Sequence, residues 1–146
     1  MSKPFVELVH KMMSGQLPQP PIGDLVGMRM VEIAPDRAVF EMEASRRHAN
    51  PMGTVHGGIL CDIADGAMGM AWASELEEGE TFTTLELKIN FLKPVWQTRL
   101  RAEATVLRRG RTIGLTVCDV RDEKGDLVAH ATSTLMTLRG EQARGR

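Results

Sequence analysis

Aromatic residues and charge of one sign are both in short supply in this chain. Its 146 residues include no Tyr, two Trp and four Phe, and 18 Lys and Arg nearly balance 19 Asp and Glu, for a net charge of −1. Proteins that bind nucleic acid usually present a strongly basic patch, and many of them stack bases on aromatic side chains. The composition therefore argues against a nucleic-acid partner.

Cysteine and long apolar runs are equally scarce. Cys61 and Cys118 fit no metal-ligand spacing, and the four His residues are too scattered to indicate a metal site. Free thiols without a secretory signal are typical of a reducing compartment, so we expect a cytoplasmic protein. The apolar residues near the N-terminus are interrupted by Glu7, His10 and Lys11, which indicates neither a signal peptide nor a membrane span. We expect no metal, no cofactor and no membrane partner.

Periodicity and turn signals predict a single α+β domain over residues 1–146. A short amphipathic helix is expected at about 4–14, an irregular proline-rich link at 18–23, and a polar tail that frays from about 140. Strand-like runs are predicted at 28–33, 38–43, 84–91, 100–107, 113–120 and 127–138. In the run at 84–91, the apolar residues that alternate with polar ones are predicted to face a core: Leu85, Leu87, Ile89 and Phe91.

The stretch from residue 57 to about 76 contains no proline and predicts one long helix. Apolar residues recur along it at helical spacing: Leu60, Ala64, Ala67, Met68, Ala71 and Trp72. Gly66 and Gly69 each cost about 1 kcal/mol relative to Ala inside a helix, and close approach of another backbone would offset that cost. We therefore expect an antiparallel sheet curled around this one buried helix.

Gly57 and Gly58 stand at the predicted start of this helix. The first N–H groups of a helix lack intrahelical partners and lie at the positive end of its dipole. Two glycines would let a ligand carbonyl approach those donors, as in an oxyanion hole. They would suit a tight turn into the helix equally well, so both interpretations stay open.

Asp65 lies seven residues beyond Gly58, or about 10 Å along the helix axis. A reacting atom has to lie about 3 Å from both the nucleophile and the oxyanion donors, and one chain does not easily meet both requirements. A two-fold dimer with antiparallel helices would bring each Asp65 to the helix start of the other subunit. The alternative, a merely solvated Asp65, fits its small apolar neighbours less well.

Other polar residues near this helix have competing interpretations. Asp62 lies one turn before Asp65 and could share its face. His56 is a rival base, although a lone His beside glycines is more often a structural hydrogen-bonding residue. Asn50 could orient a carbonyl, a water or its own loop. No positive cluster adjoins Cys61, so we interpret this thiol as part of the core.

Arg108, Arg109 and Arg111 form a basic turn, and Lys93 is expected nearby. Guanidinium groups bind phosphate well, so this turn could hold the phosphates of coenzyme A. The competing interpretation is a solvated hairpin tip.

These residues resemble those of hotdog-fold thioesterases of the phenylacetate-degradation (PaaI-like) group, over roughly residues 27–138. The resemblance includes the strand sequence at 84–94 and a motif around the helix start, Asn50-x-x-Gly53-x-x-His56-Gly57-Gly58 followed by Ile63-Ala64-Asp65. It implies a hotdog fold, a sheet wrapped around one central helix. It also implies hydrolysis of acyl-CoA or aryl-CoA thioesters to free acid and coenzyme A.

The family's site residues can be carried over to this chain by position. Asp65 would be nucleophile or general base, the amides of Gly57 and Gly58 would polarise the thioester carbonyl, and Thr84 would help to place the water. The resemblance gives Asn50 and His56 the role of orienting the substrate or the leaving sulfur. In that family the sites lie between subunits of a homodimer, and the dimers pair into homotetramers. Asp62 departs from the pattern, because small or apolar residues usually occupy its place.

A non-catalytic acyl-CoA-binding module of the same fold is the alternative function, although such a regulator would normally carry an appended domain. A hotdog dehydratase acting on acyl carrier protein is a third candidate, but no His pairs with the helix carboxylate as those enzymes require. The sequence leaves short, long and aromatic acyl groups open. Met52, Met68 and Met70 could line an adaptable pocket, although core positions are the commoner use of Met.

Overall fold

A six-stranded antiparallel sheet bends around one long helix in the computed structural model, which describes residues 3–146. The elements, in chain order, are α1 (Pro4–Met13), α2 (Pro21–Val26), β1 (Met28–Ala34), β2 (Arg37–Ala44), α3 (Gly57–Ala73), β3 (Thr81–Phe91), β4 (Thr98–Arg109), β5 (Ile113–Arg121) and β6 (Leu127–Leu138). Short 3₁₀ turns occupy Arg46–His48 and Gly140–Ala143. The strand order β1-β2-β4-β5-β6-β3 makes β1 and β3 the two edges. The predicted α+β architecture is confirmed.

The apolar face of α3 forms the centre of the core. Every residue that the helical spacing selected is buried, and Trp72 is the largest fully buried side chain. The indole N–H of Trp72 donates to Thr137 Oγ1 at 3.1 Å. Its ring lies so close to the β5 backbone that a Cβ at Gly114 would stand 2.2 Å from the ring. Glycine is therefore required where the strand passes this ring.

One side of α3 is not covered by the sheet. Its members are half-buried or exposed and recur at spacings of one helical turn: Gly58, Asp62, Asp65, Gly66 and Met70. We call this set the open stripe. Its Gly66 lies beside Phe40 of β2 and Met28 of β1, whereas Asp65 contacts Thr84 of β3. The open stripe therefore runs along the gap between the two edges of the sheet.

The glycines inside α3 adjoin aromatic rings rather than another backbone, which corrects the expectation from the sequence. A Cβ at Gly66 would meet the Phe40 ring at 3.5 Å, and one at Gly69 would meet the Phe82 ring at 3.0 Å. The wrapping by a sheet was predicted correctly, but Phe side chains of β2 and β3 fill the space that the glycines leave.

The expected alternation along β3 is only partly right. Leu87 and Ile89 pack against the core, whereas Leu85 is 51% exposed and Phe91 is 56% exposed. The pairing with β6 shifts between Thr84 and Glu86, so that Leu85 has no partner opposite it. A β-bulge of this kind breaks the period of two and turns one side chain away from the face it would otherwise share.

The proline-rich link was wrongly expected to be irregular throughout. Residues Pro21–Val26 form α2, with Pro21 in its first turn, and Gly27 ends it with φ of 86°. Proline suits the first helical position because it needs no N–H partner there, and glycine suits the left-handed position after the last turn. No helix of residues 3–146 combines the length and the apolar character needed to cross a bilayer.

Candidate active site

Asp65 and Thr84 meet at the open stripe. The Thr84 hydroxyl donates to Asp65 Oδ1 at 3.0 Å, which joins the middle of α3 to the bulge of β3. Asp65 is exposed in the single chain. The bond fixes Oδ1, and Oδ2 accepts no hydrogen bond within residues 3–146. The structure thus brings together two of the residues that the sequence assigned to the site.

Asp62 has different surroundings from Asp65, one turn away. It is half-buried, and its side chain makes no hydrogen bond within the described residues. Partial burial, and next the negative charge of Asp65, raise the pKa of the Asp62 carboxyl. The pKa of the neighbouring Cys61 thiol is raised by burial and by both carboxylates. The raised pKa disfavours the thiolate, which is the reactive form of Cys61. Cys61 is half-buried rather than fully in the core.

The side chain of the residue just before α3 caps the start of the helix. His56 precedes the helix, and its Nδ1 accepts the amide of Gly58 at 2.9 Å. A neutral imidazole that accepts at Nδ1 has its proton on Nε2, so the ring presents an N–H donor outward. No hydrogen bond within residues 3–146 uses the amide of Gly57. Of the two predicted carbonyl donors, Gly57 is available and Gly58 is engaged.

Asn50 organises the loop before the helix. Its Nδ2 donates to Thr54 Oγ1 at 2.7 Å, and its Oδ1 accepts the amide of Met52 at 2.9 Å. The backbone N–H of Asn50 also donates to Thr54 O at 2.8 Å. Of the three uses open to Asn50, orientation of its own loop is the one seen in the single chain.

A cavity of about 430 Å³ opens beside the helix start. Asn50, Gly57, Phe91 and Lys93 are among the residues that line it. The ring of Phe91 covers Gly57 so closely that a Cβ there would lie 2.8 Å from Cζ. The alternation along β3 predicts only a core-facing role for Phe91, which is instead 56% exposed. Its position at the end of β3, just before Pro94, was the one sequence feature that could have placed Phe91 at the helix start.

Lys93 is neutralised by two carboxylates. Its Nζ lies 2.6 Å from Asp122 Oδ2 and 2.7 Å from Asp126 Oδ2. These hydrogen bonds raise the pKa of Lys93, and the bond from Lys93 lowers the pKa of Asp122. Lys93 therefore lines the cavity without an unpaired positive charge.

The basic cluster expected at the β4–β5 turn divides in the structure. Strand β4 extends through Arg109, whose guanidinium binds Asp36 and the carbonyl of Trp72 and lies 4.0 Å over the Trp72 ring. Arg108 and Arg111 are exposed and make no side-chain hydrogen bond within the described residues. Lys93 was wrongly expected nearby. It pairs with Asp122 beyond the other end of β5, about 30 Å away for a strand of this length.

The predicted site residues thus form two separate groups in one chain. Asn50, His56 and Gly57 lie at the start of α3, and Asp65 with Thr84 lies two turns along it. No residue of the second group lines the cavity at the helix start. Within residues 3–146, no three His, Cys, Asp or Glu side chains are grouped so as to hold a metal ion.

Known proteins are similar to this chain in both sequence and fold. The thioesterase superfamily model matches residues 52–129, which is more than half of the chain. Human acyl-coenzyme A thioesterase 13 is 28% identical over 107 residues, 72% of this chain and 76% of that protein. A thioesterase structure from Haemophilus influenzae aligns with a TM-score of 0.79 and 28% identity, over 85% of this chain and 87% of that chain.

A phenylacetic acid degradation-related protein from Ralstonia eutropha is similar in structure, with a TM-score of 0.80 and 31% identity over 88% of this chain and 98% of that chain. The matched region spans the helix start, the Asp65 segment and β3, where the sequence resemblance was found. The chain therefore belongs to the thioesterase superfamily and is a PaaI-like hotdog-fold thioester hydrolase.

Proposed function

We propose that the substrate is an acyl-CoA thioester, which the protein hydrolyses to free acid and coenzyme A. The observation that carries the proposal is the carboxylate of Asp65, held by Thr84 on the one stripe of α3 that the sheet leaves open. The similarity to acyl-coenzyme A thioesterase 13 supports a coenzyme A ester as the substrate. We place the reaction in the cytoplasm.

The separation of the two residue groups favours a site shared by two subunits. Asp65 lies eight residues beyond Gly57, or about 12 Å along the axis, whereas both have to approach one carbonyl group. In a homodimer with antiparallel α3 helices, each Asp65 faces the Gly57 amide of the other subunit. We propose this dimer, paired into a homotetramer, as the active form.

Asp65 can act on the thioester in two ways. As nucleophile, a carboxylate oxygen attacks the carbonyl carbon, coenzyme A leaves as thiolate, and water hydrolyses the resulting anhydride. As general base, Asp65 takes a proton from a water that attacks the same carbon. In either case Thr84 orients the carboxylate and the Gly57 amide stabilises the oxyanion. Neither route needs a cofactor.

Two further groups support this chemistry. The outward Nε2–H of His56 is suited to hydrogen bond with the leaving sulfur, while Asn50 keeps the loop in place. Of the four cations predicted to bind the phosphates of coenzyme A, Arg108 and Arg111 are available, because Arg109 and Lys93 already have carboxylate partners. Gly58 would join the oxyanion site only if its amide left His56.

The test is release of free thiol from acyl-CoA and aryl-CoA esters by the purified protein. Asp65→Ala should lower kcat at least 100-fold, an effect of about the size of a lost catalytic base, while the oligomer persists in gel filtration. Asp62→Ala is the matched control and should retain activity. An active Asp65→Ala enzyme would remove Asp65 from the mechanism. Binding of CoA esters in calorimetry without any turnover would instead identify the non-catalytic module.

A further inference from the structure

A second cavity, of about 210 Å³, lies under the N-terminal helices. It is bordered by α1, α2, the edge strand β1, Phe40 of β2 and the second half of α3, and its walls include Phe5, Val9, Met12, Met30, Gly66 and Met70. Gln19 supplies its one polar side chain among the lining residues, and none of them is charged. Five of the ten methionines line it. This chemistry suits a flexible hydrocarbon.

The cavity adjoins the proposed catalytic carboxylate. Its lining residues Gly66 and Met70 belong to the open stripe, and Gly66 directly follows Asp65 in α3. Asp65 contacts β3 on one side of the stripe, and the cavity lies toward β1 on the other. Gly66 has no side chain, and the atoms nearest to the place its Cβ would take belong to Phe40 at 3.5 Å and Met28 at 3.8 Å, which both line the cavity. A chain attached to a carbonyl at Asp65 would therefore enter the cavity past the Phe40 ring and the flexible Met28 side chain.

We propose that this cavity binds the hydrocarbon tail of a linear aliphatic acyl group of about eight carbons. The inference rests on the proposed function and adds the substrate class. A cavity of about 150 Å³ accommodates the six carbons of benzene, so the observed volume corresponds to about eight carbons at the same packing.

The lining also discriminates against other acyl groups. Hydroxylated or carboxylated chains would lose hydrogen bonds to water and find only Gln19 in return. Methionine side chains have three rotatable bonds and adapt to a flexible chain, whereas the six ring carbons of an aromatic acyl group would leave part of the volume unfilled. Chains much longer than eight carbons would extend out of the cavity into water, so their extra methylenes would gain less burial.

The experiment measures kcat/KM for acetyl-, octanoyl-, hexadecanoyl- and phenylacetyl-CoA. For the natural sequence, kcat/KM should rise from acetyl- to octanoyl-CoA by up to about fourfold per methylene, and octanoyl-CoA should be the best of the four. Met12→Trp fills the cavity from α1. It should lower kcat/KM for octanoyl-CoA at least tenfold and leave that for acetyl-CoA within twofold.

Leu25→Trp is the matched control, because Leu25 is an exposed residue of α2 that does not line the cavity. It should leave both values within twofold. Equal preference profiles for Met12→Trp and Leu25→Trp would overturn the inference, as would a natural optimum at acetyl-, hexadecanoyl- or phenylacetyl-CoA.

If Met12→Trp does not fold, Met12→Ala serves instead. The enlarged cavity should move the optimum to decanoyl- or dodecanoyl-CoA, and an unmoved optimum would count against it.

Calorimetry separates this inference from the hydrolase proposal. If no CoA ester is hydrolysed, the proposed function fails, and the cavity is judged by binding of octanoyl- and acetyl-CoA. Tighter binding of octanoyl-CoA that Met12→Trp weakens at least tenfold would support the acyl cavity. Equal affinities for the two esters, or no effect of Met12→Trp, would refute it.

Discussion

Two aspartates one turn apart on α3 differ in their hydrogen bonding and in their burial. Asp65 accepts a hydrogen bond from Thr84, whereas Asp62 is half-buried without a hydrogen-bonded partner within residues 3–146. Partial burial and the charge of Asp65 raise the pKa of Asp62 above its usual value. The folded state therefore binds the Asp62 proton more tightly than the unfolded state, and stability falls as that proton is lost.

Asp62→Asn should consequently stabilise the protein at neutral pH. The gain should be about 0.5 kcal/mol or less, because water screens a half-exposed group. It should be absent below the ordinary aspartate pKa of about 3.9, grow as the pH rises through the elevated folded value, and stay constant above it. Urea unfolding between pH 3 and pH 8 measures it. Glu78→Gln removes the same charge from an exposed position and should show no such pH dependence. A destabilised Asp62→Asn would contradict the cause assigned to the pKa shift.

Residue positions were predictable from the sequence where helical spacing determines them. Asp65 and the start of α3 lie where the sequence placed them, because a proline-free run at helical spacing sets both positions, whereas their catalytic roles stay predictions. The engagement of the Gly58 amide by His56 and of Arg109 by Asp36 was not predicted. Those bonds depend on how side chains fold back or meet across 73 residues of chain, which no local pattern encodes.

The two interior glycines of α3 meet different neighbours. A Cβ at Gly66 would make ordinary contact with Phe40 at 3.5 Å, whereas one at Gly69 would press on Phe82 at 3.0 Å. Replacing glycine by alanine in a helix interior stabilises the helix by about 1 kcal/mol. That gain is retained only where the added methyl group fits.

Gly66→Ala should therefore raise the free energy of unfolding by about 1 kcal/mol. Gly69→Ala should gain clearly less or lose stability, because the Phe82 ring has to move and overpacking costs about 1–3 kcal/mol. Denaturant unfolding of the two variants provides the comparison, with each serving as the control for the other. Equal stabilisation would show that the Phe82 ring yields freely.

Among the elements, turn residues and alternating patterns predicted where the strands lie but not the irregularities within them. The bounds of β1, β2, β4, β5 and β6 agree with the sequence prediction to within two residues, because turn residues mark both ends of each run. The bulge at Leu85 was missed, since one unpaired residue on β3 depends on the register with β6. Helix α2 was missed because several prolines obscured a first-turn proline and a terminal glycine.

At the scale of the whole molecule, the two proposed catalytic groups lie too far apart in one chain to act on the same carbonyl. Gly57 lines the cavity at the helix start, whereas Gly66, the residue after Asp65, lines the cavity under α1 and α2. Sequence spacing predicted this separation, because helical rise fixes it. It did not predict the apolar cavity under α1 and α2, which requires the N-terminal helices to pack on β1.

A proline at residue 57 offers a way to remove the proposed oxyanion donor without removing the helix. Proline is tolerated at the first helical position, and the φ of −62° and ψ of 135° at His56 suit a residue that precedes proline. Gly57→Pro should lower kcat about 100- to 1,000-fold, as loss of one oxyanion donor does. Gly57→Ala meets the same Phe91 ring but keeps its N–H, so it should remain within tenfold of the natural sequence.

Mixing Gly57→Pro with Asp65→Ala then tests whether each site spans two subunits. In a heterodimer of these variants, one site joins both defects and the other joins an intact Asp65 to an intact Gly57 of the other subunit. Co-expression in equal amounts yields half heterodimers with one working site of two, so about a quarter of the original activity should return. Each variant alone should stay nearly inactive. If both groups served the same site from one subunit, every site in the mixture would contain a defect. Activity would then remain at the level of the separate variants, because exchange of subunits could assemble no intact site.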